Sequence, residues 1–462
     1  MPYTYHTDED RRAMLAVIGV KSEDELIDVI PEKFHLRSLL PIEKGRTEPE
    51  TQRAMGAISR KNRPAAHLVN FLGGGIYEHT VPSAVNNLAS RPEFATAYTP
   101  YQPEASQGTL QVIFEFQTHI SRLTRLAVAN ASMYDGATAL AEAILMASKI
   151  TRRDVVLVPY ALNPRYLKVI KSYVTGQKIE LRTLPVSGAG DLDIAALKKE
   201  LSDRVAAVVV QTPNYFGSLE KPWEYEKEIH AAGALLVTSV DPVSLSILRP
   251  PGEYNADIAV GECQPLGNPM SFGGPLVGFM ACKQEYIRQM PGRIVSATHD
   301  VDGRQAFVLT LQTREQHIRR EKATSNICTN QGLLATRATI YVSLLGEHGF
   351  TELGRVCHDR ARKLAAAITS CEGYSLKYSA PFFREFVVAC PGDAKSVIEA
   401  SRKEGILAGI PLSRYYGASA SNLLLVAVTE KNEDDDADKF CAVLKRYQTQ
   451  QFRHCRVGFL VR

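Results

Sequence analysis

Short runs of β-branched and other apolar residues recur through the middle of the chain, separated by stretches with helical spacing. The runs lie at residues 155–158, 205–210, 235–237, 258–260 and 276–280. Continuous apolar runs are typical of strands that are buried on both faces, and their alternation with helices predicts parallel strand–helix–strand units. We therefore expect a large α/β domain with a mostly parallel sheet over residues 63–330.

The region before this domain is more polar and has helical spacing. Residues 1–62 place Met14 and Ile18 on one helical face, and Ser22 followed by Glu25 predicts a capping box that opens a second helix. These patterns predict an N-terminal helical arm.

The region after residue 331 begins with a long helical pattern and continues with shorter elements. The shorter elements are predicted as helices near 359–370 and 394–404 and strands at 386–389 and 423–428. This alternation predicts a smaller C-terminal α/β domain over residues 331–447. Residues 430–438 are predicted to form a solvated acidic loop before a last helix, and residues 448–462 a polar tail to which we assign no role.

Composition narrows the class of protein. Of the 462 residues, 45% are hydrophobic and 23% are charged, which is typical of globular proteins and excludes disordered and collagen-like chains. The 54 basic and 50 acidic residues nearly cancel, so charge does not indicate a nucleic-acid partner. The acidic start and the lack of a long apolar run predict a cytoplasmic chain with no membrane partner. The eight cysteines contain no C-x-x-C pair and predict reduced thiols, with no metal site.

Small residues open a helix after Asp135. Gly136, Ala137 and Thr138 precede an apolar stripe, so their backbone N–H groups lie at the positive end of a helix. Such an end can hold a phosphate. The alternative is that Asp135 or Thr138 merely caps an ordinary helix.

A carboxylate follows one of the apolar runs. Asp241 ends the run 235–240, and the carboxyl ends of parallel strands line the ligand crevice of an open α/β sheet. Asp241 could therefore face a cofactor, or it could form only the local hydrogen bonds that aspartate makes at a turn.

Three features occur here in the order found in fold-type-I pyridoxal-phosphate enzymes. They are the start of a helix at 136–138, Asp241 at the end of a strand, and a Gly-Gly-Pro turn at 273–275. In those enzymes the aspartate keeps the pyridine nitrogen protonated, and a lysine shortly before the turn forms a Schiff base with the cofactor. Here no lysine occurs between Lys227 and Lys283. We expect Lys283 at the far end of its strand, so covalent cofactor binding is not expected in this chain.

Three further segments carry a specific resemblance. They are 71–79 (FLGGGIYEH), 98–108 (YTPYQPEASQG) and 314–329 (REQHIRREKATSNICT). These segments closely resemble the glycine decarboxylase P-protein family, in particular the alpha subunit, subunit 1, of its split bacterial form. The resemblance covers about residues 1–447.

The resemblance implies a function. The family decarboxylates glycine with pyridoxal phosphate and passes the aminomethyl group to the lipoyl arm of H-protein. An alpha chain is expected to be inactive alone and to pair with a beta subunit, which binds the cofactor, in an α2β2 assembly. Gln264 stands at the Schiff-base lysine position, which agrees with an alpha chain.

Several polar side chains of these segments are candidates for a contribution to catalysis. The candidates are Tyr98, Tyr101, Gln102, Glu104 and Gln107 in a loop suited to a subunit boundary, Tyr77 and His79 after three glycines, and the basic run of His317, Arg319, Arg320, Lys322, Thr324 and Asn326. The alternatives are a packed structural turn, a structural histidine and an exposed basic helix, respectively.

Two other functions remain open at this level. The chain could be a non-catalytic partner that stabilises the beta subunit or docks H-protein. It could also be a self-sufficient transaminase or desulfurase, although the lysine-free interval argues against that.

Overall fold

The computed structural model describes residues 5–36, 38, 40–95 and 97–459, with side chains described up to residue 448. The chain divides into two compact units, Met1–Arg63 and Pro64–Arg462. The predicted domain boundaries at 62, 330 and 447 stay predictions.

The N-terminal unit contains two helices, α1 (Asp8–Ile18) and α2 (Glu48–Ser59). Each begins with a capping box, formed by Thr7 with Asp10 and by Thr47 with Glu50. The capping box predicted at Ser22 and Glu25 is wrong. Glu25 accepts a hydrogen bond from the backbone of Lys21 instead, and only one 3₁₀ turn forms there, without a side-chain cap.

The second unit is built on a large sheet in which every predicted run forms a strand. The strands of the unit are β1 (Val69–Asn70), β2 (Val128–Ala129), β3 (Val155–Pro159), β4 (Glu180–Leu184), β5 (Val205–Thr212), β6 (Leu235–Val240), β7 (Ile258–Glu262), β8 (Gly278–Cys282), β9 (Ile294–His299), β10 (Gln305–Thr310), β11 (Ser375–Leu376), β12 (Glu385–Ala389), β13 (Ile406–Leu407), β14 (Ile410–Pro411) and β15 (Leu423–Ala427). The large sheet has the order β2-β8-β7-β6-β5-β3-β4, with β8 antiparallel to both of its neighbours and the other pairs parallel. The predicted mostly parallel sheet is confirmed.

Helices accompany this sheet and a second, smaller one. They are α3 (Ser83–Ala89), α4 (Gln107–Thr124), α5 (Gly136–Thr151), α6 (Pro164–Val174), α7 (Ile194–Glu200), α8 (Glu226–Ala231), α9 (Gln316–Arg319), α10 (Gly332–Thr369), α11 (Ala394–Lys403), α12 (Ser413–Tyr416) and α13 (Asp434–Phe459). Apolar side chains of α5 and the large sheet share one core, and those of α4 and the first half of α10 share another. The second sheet, β11-β12-β15-β14, is antiparallel and packs with the end of α10, α11 and α13.

The last helix, α13, runs to Phe459, and no proline or glycine interrupts residues 434–457. The tail assigned from residue 448 stays a prediction. Residues 460–462 of the predicted tail lie outside the described residues. No helix in the described part of the chain is long and apolar enough to cross a bilayer.

Candidate functional site

The crevice at the carboxyl ends of β6 and β7 is nearly closed. It is also lined by the end of β5, the start of α6, the loop after β1 and the start of β12, and it encloses a cavity of about 40 Å³. That volume holds a few water molecules.

The N-terminus of α5 is occupied by a carboxyl group of the chain itself. Oε2 of Glu262 accepts a hydrogen bond from the N–H of Gly136 at 3.0 Å, and Oε1 accepts from the N–H groups of Gln264 and Val277. The N–H of Thr138 is bound by the capping side chain of Asp135. The predicted phosphate cup of Gly136, Ala137 and Thr138 exists as a helix end, but two of its donors are already paired.

The surroundings of Glu262 decide its charge. Burial raises the pKa of its carboxyl group to about 8, although three backbone N–H donors act in the opposite direction. The group is therefore mostly protonated at neutral pH. Its side chain, held by the N–H of Gly136, occupies the position at the helix end that a phosphate would take.

Glu262 should make the chain less stable as the pH rises. The stabilisation is fully present below the ordinary pKa of 4.5 and is lost as the pH rises through about 8. We expect the free energy of unfolding of the wild type, relative to E262Q, to fall by about 1.4 kcal/mol per pH unit in this window. Urea denaturation at a series of pH values measures the difference. A difference that is independent of pH would contradict the assignment.

Asp241 lies at the end of β6, as predicted, but its partner is an arginine. Nη2 of Arg384 is 2.6 Å from Oδ2 of Asp241, and the arginine side chain is 1% exposed. The guanidinium also lies 3.6 Å from the centroid of the Tyr77 ring. The carboxylate that would face a pyridine nitrogen is thus neutralised within the chain.

His79 extends this buried network. Nη1 of Arg384 lies 2.5 Å from Nε2 of His79, and because arginine can only donate, Nε2 accepts and the ring proton lies on Nδ1. Nδ1 donates to Glu430 at 2.6 Å. Burial alone would raise the pKa of Glu430, but the hydrogen bonds from His79 and the backbone of Thr80 outweigh it and lower the pKa to about 2.

The same histidine belongs to a group that could in principle bind a metal ion. Ligand atoms of His79, Cys357 and Glu430 lie within 4.8 Å of one another. However, a metal on Nδ1 would move the proton to Nε2, directly against an N–H of Arg384. The cluster is better described as a hydrogen-bonded network. It also bears on the segment 430–438, which was predicted to be solvated, because the side chain of its first residue, Glu430, is mostly buried.

Gln264, at the position of the Schiff-base lysine, is fully hydrogen-bonded inside the chain. It accepts from the N–H of Tyr77 and donates to its carbonyl oxygen, both at 2.9 Å. The hydroxyl group of Tyr77 donates to Glu385 at 2.7 Å. Lys283 lies at the far end of β8, as expected, where it is paired with Asp257 at 2.6 Å.

Taken together, these residues do not fit pyridoxal phosphate. The phosphate position is filled by Glu262, the pyridine partner Asp241 is bound by Arg384, and the lysine position holds a glutamine that is already hydrogen-bonded. No step of catalysis can be derived through a cofactor in this crevice.

The two longer sequence motifs meet at a different place, beyond the edge strand β2. Nη2 of Arg293 lies 3.0 Å from the hydroxyl oxygen of Tyr101, and Nε lies 3.3 Å from Oε2 of Glu315. His317 places Nδ1 at 3.7 Å from the same carboxylate oxygen and its ring edge-on to Tyr101. We call Tyr101, Arg293, Glu315 and His317 the motif cluster.

The remaining candidates of the 98–108 segment divide into exposed and structural residues. Tyr98, Gln102 and Glu104 are exposed. Gln107 uses its amide group to hold the backbone of Phe307, both as donor and as acceptor. We therefore interpret Gln107 as a structural residue that fixes β10 against α4.

The basic run is only partly used inside the chain. Arg319 donates to the carbonyl oxygen of Thr313, and the backbone of Thr324 pairs with that of Arg314. Arg320, Lys322 and Asn326 are exposed. The run thus presents a basic surface beside the motif cluster.

Sequence reasoning did not identify four buried residues that shape the crevice and the motif cluster. The residues concerned are all ionisable and buried: Glu262, Arg384, Arg293 and Glu315. A weak signal was present for two of them, since Glu262 follows an apolar run and Arg384 lies two residues before one. Charged residues are seldom fully buried without a partner, so these positions were candidates for pairing.

Comparison with known proteins agrees with this description. The family model described as "Glycine cleavage system P-protein" matches residues 1–444. The probable glycine dehydrogenase (decarboxylating) subunit 1 of Chlorobium limicola is 51% identical, over 96% of this chain and 99% of that protein. The corresponding protein of Desulforamulus reducens is 47% identical, over 96% and 99%.

Solved structures give the same result. A crystal structure of glycine decarboxylase (P-protein) of the glycine cleavage system, in inhibitor-bound form, matches with a TM-score of 0.86 and 44% identity, covering 97% of this chain and 100% of that one. The sphingosine-1-phosphate lyase of Burkholderia pseudomallei, 12% identical with a TM-score of 0.65, covers 93% and 98% and shows the shared fold alone. The chain belongs to the glycine cleavage system P-protein family.

Proposed function

We propose that this chain is the alpha subunit of a glycine decarboxylase and is inactive without a beta subunit that holds pyridoxal 5'-phosphate on a lysine. The assembled α2β2 enzyme, in the cytoplasm, decarboxylates glycine and transfers the aminomethyl group to the lipoyl arm of H-protein. This chain supplies side chains to the shared site but does not bind the cofactor.

The closed crevice is the observation that carries the proposal. The chain has the fold of a cofactor-binding subunit, yet Glu262, Arg384 and Gln264 occupy the positions where phosphate, ring and lysine would lie. Its relatives are named subunit 1, and such a name implies a second subunit. A fold of this class without its own cofactor is consistent with a partner that supplies one.

The 98–108 segment supports a catalytic contribution. Tyr98, Tyr101, Gln102 and Glu104 are exposed, and most are polar groups held on a loop next to the rigid edge of the sheet. His79 is a poorer candidate than the sequence suggested, because both of its ring nitrogens are engaged in the buried network.

Reconstitution tests the proposal. Purified alpha and beta chains should each lack glycine-dependent exchange of bicarbonate carbon into the carboxyl group, and their mixture should regain it. The matched control is beta mixed with an unrelated protein of similar size. Full exchange by beta alone would remove the catalytic role of this chain.

The closed crevice also favours a second candidate function. A non-catalytic partner that stabilises beta or docks H-protein would likewise have no use for an open cofactor site. Such a partner should tolerate substitution of the exposed loop residues in an assembled complex.

A further inference from the structure

The motif cluster contains a deeply buried ion pair. The side chains of Arg293 and Glu315 are 2% and 5% exposed. Taking two charges out of water costs free energy that a single contact of 3.3 Å only partly offsets. Within the described residues, Nη1 of Arg293 and Oε1 of Glu315 are also buried without a hydrogen-bond partner.

Two outward side chains depend on this ion pair. Tyr101 is 48% exposed and its hydroxyl group is held by Arg293. The side chain of His317 is 36% exposed and its Nδ1 faces the carboxylate of Glu315. The ion pair therefore fixes one residue from each of the two long motifs at the same surface.

The backbone beneath the pair is held firmly. The carbonyl oxygen of Arg293 accepts from the N–H of Ala131 at 2.8 Å, next to β2. Arg314, itself buried, donates to the carbonyl oxygens of Met290 and Gly292, on the turn that leads into Arg293. Rigid support of this kind is what a group needs if it is to act on a substrate with defined geometry.

We propose that Tyr101 and His317 are catalytic residues that this chain contributes as a pair to the shared active site, with Arg293 and Glu315 as their positioning residues. One ring nitrogen of His317 faces a buried carboxylate, and among the described residues no hydrogen bond engages the other, which is an arrangement suited to proton transfer. Nε2 of His317 takes a proton from the ammonium group of glycine, whose nitrogen keeps the electron pair of the broken N–H bond, and Tyr101 orients the substrate. This inference rests on the proposed function and names residues of that same site.

The test uses H317A in the assembled alpha–beta enzyme. We expect kcat for exchange to fall by about 10²-fold or more, the range of general acid–base catalysis, with little change in the KM for glycine. Added imidazole should restore part of the lost kcat, because it can enter the space left at an exposed position. H299A, which removes an exposed histidine at the end of β9, should remain close to wild type with or without imidazole.

The positioning role has its own readout. R293M should lower kcat by about 10- to 100-fold without loss of assembly in sedimentation, since a small displacement of a reacting group has an effect of this size. R293K, which keeps a charge and a donor, should retain more activity than R293M. R304K is the control for a surface arginine that is 79% exposed.

Each outcome decides the inference. Activity of H317A close to wild type, or a loss that imidazole does not restore, would overturn it while leaving the proposed function intact if the reconstitution succeeds. Failure of the reconstitution itself would instead overturn the proposed function.

Discussion

Alanine at Tyr101, Gln102 and Glu104 together should lower the exchange activity of the assembled enzyme by about 10²-fold or more. The three residues lie on an exposed loop. Tyr101 is anchored by Arg293, so its loss removes the hydroxyl group that the motif cluster presents. Assays of exchange at saturating glycine measure the effect.

The control is a triple variant at the opposite side of the sheet. Lys171, Gln177 and Lys178 are exposed and precede β4, the edge strand farthest from β2. Their replacement by alanine should leave both assembly and exchange near wild type. If the loop variant assembles and also keeps full activity, this chain acts as a structural partner.

Replacing Arg384 by methionine should lower the free energy of unfolding by about 3 kcal/mol, because it leaves the carboxylate of Asp241, which is only 13% exposed, without its charge partner. The substitution also removes the donor to Nε2 of His79. Urea denaturation at neutral pH measures the change.

A second substitution separates charge from packing. Adding D241N to R384M removes the unpaired carboxylate and should recover part of the lost stability, while R304M at an exposed position should be nearly neutral. If R384M is as stable as wild type, Arg384 does not hold the crevice closed.

The fold was predictable because its signals are local. The runs at 155–158 and 205–210 are apolar throughout, and a strand covered on both faces requires such a run. The same pattern of apolar runs predicted where α5 begins and that Asp241 lies at the end of β6. The capping box at Ser22 was wrong because the competing hydrogen bond from Lys21 to Glu25 is invisible in a spacing rule.

The state of the crevice could not be predicted in this way. Its closure depends on Arg384 reaching Asp241 and on Glu262 turning back to Gly136, and both contacts join residues far apart in the sequence. The motif cluster likewise depends on contacts between distant residues, since Tyr101, Arg293 and Glu315 come from three separate segments. Such contacts depend on tertiary packing, so motif spacing alone does not reveal them.

The most direct measurement of the central claim is the location of the cofactor. Each purified chain and the reconstituted complex should be incubated with pyridoxal 5'-phosphate, reduced with borohydride and digested to find the labelled peptide. We predict label on a beta lysine only, with the lone alpha chain colourless. A yellow alpha chain that carries the label on one of its own lysines and turns over glycine would contradict the account.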